Sequence, residues 1–127
     1  MRIPFHPAIY PPAPALEIRL INPATGVYSV YYHAILDTGS DMTMIPTKML
    51  TAMRLPTMRS ESVSGLWGGH SITKVYLVDI EVGGRLFSGV EVLSNPKEKQ
   101  ILIGRDVSNQ LRLLLDGPDL STEILTD

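Results

Sequence analysis

Residues 34–46 read AILDTGSDMTMIP, an apolar run with charge in the middle of it. Ala34, Ile35 and Leu36 have the character of the end of a buried strand, and Met42, Met44 and Ile45 that of the start of another. Asp37-Thr38-Gly39-Ser40-Asp41 stands between them. A carboxylate in such a place has three uses. It acts as a general acid or base if a second carboxylate shares its proton. With Asp41 it begins an oxygen-ligand cation site, but hard cations want several oxygens and no further acidic cluster follows. It can also close a turn by bonding its own backbone. Other chemistries are poorly supported. The chain has no cysteine, so it has no disulfide frame and no thiolate zinc site. His6, His33 and His70 lack metal-ligand spacing, and no metal or other cofactor is expected. The stretch WGGH (67–70) is not a phosphate-binding loop, because no Lys-Ser/Thr and no strand-to-helix junction follow it. Asp116 in LLLDGP also follows an apolar run, but Asp-Gly-Pro is a turn signature, which makes it structural.

The elements that must position Asp37 are short. Residues 1–15 carry five prolines, Pro4, Pro7, Pro11, Pro12 and Pro14, and are expected to form an extended, unpacked arm. LEIRLI (16–21) alternates like a half-buried strand, NPATG (22–26) is a turn, and VYSVYYHAIL (27–36) is expected to be the returning strand. Pro46 followed by Met49, Leu50 and Met53 suggests one or two helical turns. Two strand-like runs surround a glycine-rich tip at Gly65, Gly68 and Gly69, and Gly83-Gly84 marks a second hairpin. ILIG (101–104) is a short buried strand, followed by a short helix and a final strand. The six methionines are read as gap-filling core rather than a binding surface. The sum is mostly β, a compact barrel or sandwich with two brief helices.

At 127 residues the chain is one domain. A net charge of −2, with eleven scattered Lys and Arg, argues against a nucleic-acid or anionic-membrane partner. No apolar stretch approaches the ~18–20 residues of a membrane span. No basic-then-apolar leader precedes the first strand. The composition suits a soluble cytoplasmic protein.

A strand ending in Asp-Thr-Gly, a glycine-rich hairpin, and a second apolar strand ending in Gly before a helix resemble the retropepsin-like (retroviral-type) aspartic proteases. The matching stretches are LDTGSDMTMIP, GLWGGH and ILIGRD, in that order. The resemblance covers residues 16–116, leaving a Pro-rich arm (1–15) and a tail (117–127) outside it. It implies a single-domain closed barrel or sandwich with a flap hairpin. It further implies an aspartic endopeptidase in which water is activated by two carboxylates sharing one proton. One Asp-Thr-Gly per chain makes the active species a homodimer, with Asp37 contributed by each copy across a two-fold axis and a polypeptide as substrate. The initial Met and the lack of a leader favour a free-standing, bacterial enzyme.

The same resemblance implies roles for the neighbours. Asp37, Thr38 and Gly39 are catalytic, with Gly39 expected at positive φ and the Thr38 hydroxyl bonding the partner's loop. Ser40 is expected to donate to Asp37 and favour its ionised form, which implies an acidic optimum. Asp41 and Arg105 are expected to form an ion pair that braces the loop. Gly65, Leu66, Trp67, Gly68 and Gly69 are expected to form the substrate-covering flap, with Trp67 at its tip. The alternative reading is a catalytically silent module of the same fold, used for dimerisation or for holding an extended peptide by strand addition.

Overall fold

The computed structural model describes residues 1–64 and 69–126. Ten strands and two helices follow in order: β1 (Arg2–Pro4), β2 (Ala15–Ile21), β3 (Tyr32–Leu36), β4 (Met44–Pro46), α1 (Thr47–Ala52), β5 (Thr57–Ser64), β6 (His70–Val82), β7 (Arg85–Asn95), β8 (Leu102–Ile103), α2 (Arg105–Ser108), β9 (Arg112–Asp116) and β10 (Ser121–Leu125). Six strands pair in the order β2-β3-β8-β4-β7-β6, and β6 returns to β2, which closes a barrel. The closing ladder sets Arg19 opposite Glu81, and the two side chains form an ion pair there. Strand alternation builds the interior: Leu16, Ile18 and Leu20 of β2 point inward, as do Val78, Ile80 and Val82 of β6. Burying such side chains contributes about 1.5–3 kcal/mol each.

β5 hangs on the outer half of β6 as a hairpin arm, from Thr57↔Tyr76 to Ser64↔His70. The second hairpin, β6–β7, turns at Gly83 and Gly84, whose φ values of 57° and 81° are those of a two-residue turn that disfavours any residue with a Cβ. In α1 only Leu50 is fully buried, and Pro46 stands at the N-cap. No helix among the described residues is long and apolar enough to cross a membrane.

A second sheet, β1-β10-β9, lies against the barrel. It revises two expectations. The proline-rich segment is packed: Ile3 joins the main core, and the β1 backbone pairs with β10. Phe5 N–H donates to the Leu120 carbonyl at 2.8 Å, and the His6 ring stacks on His33 at 4.8 Å between centroids. Proline is tolerated because β1 is an edge strand, where a missing donor costs no ladder bond. The C-terminal residues likewise form a strand, with Thr122 fully buried and Ile124 packed on the core. A third expectation fails at 27–31, which lie outside the strands apart from a single bridge between Tyr28 and Ile21. Tyr28 and Tyr31 are exposed and lie over the Arg19 guanidinium instead.

Candidate active site

Asp37 follows β3 directly. β3 runs parallel to β8, with Ile35 opposite Leu102 and Leu36 opposite Ile103. The ladder continues into the loop, since Asp37 N–H donates to the Ile103 carbonyl at 2.9 Å. On the other side Leu36 N–H donates to the Pro14 carbonyl at 2.9 Å. The acid therefore sits on a backbone held from both sides. Ala34, Ile35 and Leu36 behind it are buried, while Asp37 is half-buried and Thr38 and Gly39 are exposed. This placement answers why an apolar strand ends on an acid: the core fixes the strand and the strand delivers the carboxylate to the surface.

The loop turns tightly. Ser40 N–H donates to the Asp37 carbonyl at 3.2 Å, and Gly39 N–H donates to Asp37 Oδ1 at 3.0 Å. Among the described residues Gly39 is the single donor to this carboxylate. Gly39 does not take the positive φ expected of it. Its constraint is proximity, because a Cβ there would meet Asp37 Oδ1 at 3.3 Å.

Ser40 and Arg105 are both at the loop, with partners other than those expected. The Ser40 hydroxyl donates to the Met42 carbonyl at 2.6 Å, not to Asp37. Arg105 Nη1 donates to the Thr38 carbonyl at 3.1 Å, and Arg105 N–H donates to the Ser40 carbonyl at 2.8 Å. Arg105 thus braces the loop through backbone oxygens. Asp41 is exposed and forms no ion pair with it. The planar guanidinium reaches a carbonyl of the turn, and the exposed Asp41 gains little from pairing in water.

The residue that sequence reasoning missed is Asp106. Its Oδ1 accepts from Thr43 Oγ1 at 2.8 Å and from its own neighbour Val107 N–H at 2.9 Å, and its Oδ2 accepts from Thr43 N–H at 3.0 Å. Thr43 Oγ1 in turn accepts from Gly104 N–H at 3.1 Å. These bonds tie the end of the Asp37 loop to the start of α2. Gly104 is required by contact: a Cβ there would lie 2.5 Å from the Met42 carbonyl carbon and 2.7 Å from its oxygen. The signal lies in the GRD triplet, whose arginine and aspartate both bond back to the Asp37 loop or its end.

The hairpin arm flanks the loop. A groove of about 260 Å³ is lined by Asp41, Met42 and Leu93 together with residues 61–64 of β5. A larger one of about 550 Å³ lies between the hairpin and α1, with Met44, Val63, Ile72 and Tyr76 on its apolar side and Lys74 and Lys97 among its polar residues. Of the expected flap residues, Gly65, Leu66, Trp67 and Gly68 lie outside the described residues, and Gly69 leads directly into β6.

A half-exposed aspartate on an Asp-Thr-Gly turn, carried by a parallel strand pair of a closed barrel, defines the acid-protease class of site. Comparison with protein families agrees: the aspartyl protease family model matches residues 26–107, well over half of the chain. The chain therefore belongs to the retropepsin-like aspartyl proteases. Comparison with curated proteins gives no match.

Proposed function

We propose that the protein is an aspartic endopeptidase whose active centre is built from Asp37 of two chains in a homodimer. The carrying observation is that each chain presents one such carboxylate, with one oxygen held by Gly39 N–H and the other open. Two of them brought together cannot both ionise, so the pair holds one proton. The ionised member takes a proton from water as the water oxygen attacks the scissile carbonyl carbon. The protonated member donates to the carbonyl oxygen. A proton then passes to the amide nitrogen, the C–N bond breaks, and acid and amine leave. Thr38 and Gly39, exposed in one chain, become covered by the second. The grooves beside the hairpin β5–β6 receive side chains of an extended peptide.

The test uses a purified unfolded protein as substrate at acidic pH. Asp37→Asn is nearly isosteric and should fold and associate like the parent while losing all but a trace of proteolysis. Adding this inert variant in excess to the parent should depress the parent's activity, because mixed pairs carry one carboxylate. Undiminished proteolysis by Asp37→Asn would remove Asp37 from the chemistry. Undiminished parent activity in the mixture would remove the two-chain centre. A parent that binds the polypeptide and never cuts it would favour the silent module.

A further inference from the structure

We propose that the larger groove, between the β5–β6 hairpin and α1, selects substrates that carry an acidic side chain, with Lys74 and Lys97 setting the preference. The inference rests on the endopeptidase reading and names the class of substrate side chain that this groove takes.

The charge of the groove is of one sign. Its lining includes Lys74 and Lys97 and no aspartate or glutamate. The acids of the neighbourhood lie elsewhere. Asp41 and Glu61 line the smaller groove, which shares Val63 with the larger one. Glu98, next to Lys97 in the chain, turns its Oε1 to the N–H groups of Lys99 and Gln100, at 3.0 and 3.3 Å. Among the described residues no lysine takes part in an ion pair, whereas Arg2, Arg19 and Arg59 all do. On the ladder Lys74 stands opposite Ser60, so no cross-strand acid neutralises it.

Both lysines are carried on fixed backbone. Lys74 belongs to the β5–β6 ladder, and the hydroxyl of Thr73 beside it donates to the Ser94 carbonyl, which ties β6 to the end of β7. From there Asn95 Oδ1 accepts from the N–H groups of Lys97 and Glu98 at 3.0 and 3.2 Å, a turn that fixes the backbone of Lys97. Groups held in this way lose little freedom when they bind. The remaining lining is apolar at Met44, Val63 and Ile72. The groove therefore matches a side chain with an aliphatic stem and an anionic head. The methylenes of a glutamate lie against the apolar side, and its carboxylate accepts from the ammonium groups. Thr47 also lines the groove, and its Oγ1 is the one buried side-chain polar atom without a hydrogen-bond partner among the described residues. A carboxylate seated against α1 supplies the missing acceptor. A substrate lysine or arginine meets like charge instead.

Digestion of an unfolded protein by the parent locates the subsite: acidic residues should be enriched at one fixed position from the cleaved bonds. Peptides with Glu, Gln or Lys at that position are then compared by kcat/KM. At about pH 5.5 Glu should exceed Gln by about tenfold, at up to about fivefold for each lysine–carboxylate pair, and should exceed Lys by more. At about pH 3.5 the substrate carboxyl is mostly protonated, and its advantage over Gln should fall close to unity. The ratio at one pH cancels the pH dependence of the catalytic centre. Lys74→Met with Lys97→Met keeps both stems and should bring the Glu/Gln ratio to about unity at the higher pH, and Lys74→Arg with Lys97→Arg should retain the preference. Lys48→Met, on α1 and outside the groove, should leave the ratio as it is. Digestion with no acidic enrichment at any position, or a double methionine variant that keeps the parent's ratio, would overturn the selectivity and leave the endopeptidase standing. A parent that cuts no polypeptide would overturn both.

Discussion

Thr43 is fully buried between the end of the Asp37 loop and the start of α2, and its hydroxyl both donates to Asp106 and accepts from Gly104 N–H. Thr43→Val keeps the branched shape and deletes both bonds. Gly104 N–H is then left buried without an acceptor, which costs about 1–3 kcal/mol, and a bond to an ionised carboxylate is lost, worth about 1.5–3 kcal/mol. The added methyl returns about 0.8 kcal/mol. The net destabilisation is about 2–5 kcal/mol. With a urea slope of about 1.5 kcal/mol/M, the midpoint should fall by roughly 1–3 M. The measurement needs equal protein concentration for parent and variant, because association of chains adds to stability by mass action. Thr43→Ser retains the hydroxyl and loses one buried methyl, so it should fall between the two, about 1 kcal/mol below the parent. Peptide hydrolysis should follow the same order, since the same bonds hold the loop that carries Asp37. A Thr43→Val protein within about 0.5 kcal/mol of the parent, or a serine variant as weak as the valine one, would refute the role given to this hydroxyl.

Gly104→Ala forces a methyl onto the Met42 backbone, which has no rotamer to yield, and should cost about 3 kcal/mol, the upper end of overpacking, and most of the activity; parental stability in urea would contradict the contact. Ser40→Ala should leave both limbs of the kcat/KM–pH profile in place, because the hydroxyl donates to Met42. Had it donated to Asp37 it would favour the ionised form, and its loss would raise the limiting pKa values and move the optimum toward neutrality. A shift in that direction would restore the Ser40–Asp37 bond. Ile3→Ala should destabilise by about 2–5 kcal/mol in the same urea assay, whereas an unpacked arm would show no change.

The barrel was legible where local pattern and burial coincide. LEIRLI alternates and is β2; Gly83-Gly84 sits between two β-rich runs and is the turn of β6–β7; ILIG ends a buried strand before α2. Misreadings arose where composition and burial part. VYSVY (27–31) has strand-like residues, yet its tyrosines and valines face solvent, and propensity without an inward face makes no ladder. The prolines of the first fifteen residues hid Ile3 and Phe5, whose burial depends on β10, over a hundred residues away. STEIL follows Asp-Gly-Pro and is too short to show a period, though Thr122 and Ile124 alternate correctly. At the candidate site, a local motif points to Asp37, Thr38, Gly39 and Arg105, and the structure brings the four together at one loop. The Thr43–Asp106 bonds join residues 63 apart, and no local pattern encodes that reach.

The thirteen residues of β6 serve two structures at once. Their outer part, His70 to Tyr76, is bonded to β5, and their inner part is held between β2 and β7. At ~3.3 Å per residue the strand is on the order of 40 Å long. It behaves as a cantilever: one unbroken beam, clamped in the barrel from Val75 inward, tied once more to β7 by the Thr73–Ser94 hydrogen bonds, and paired only with β5 from His70 to Ile72. Val75 and Tyr76, both buried, mark the root. A load on the free end is taken up by twist and flexure of the whole β5–β6 ribbon, with the greatest bending moment at the root and none at a separate joint. Softening Val75 or Tyr76 would therefore change the compliance of the distant end of the ribbon.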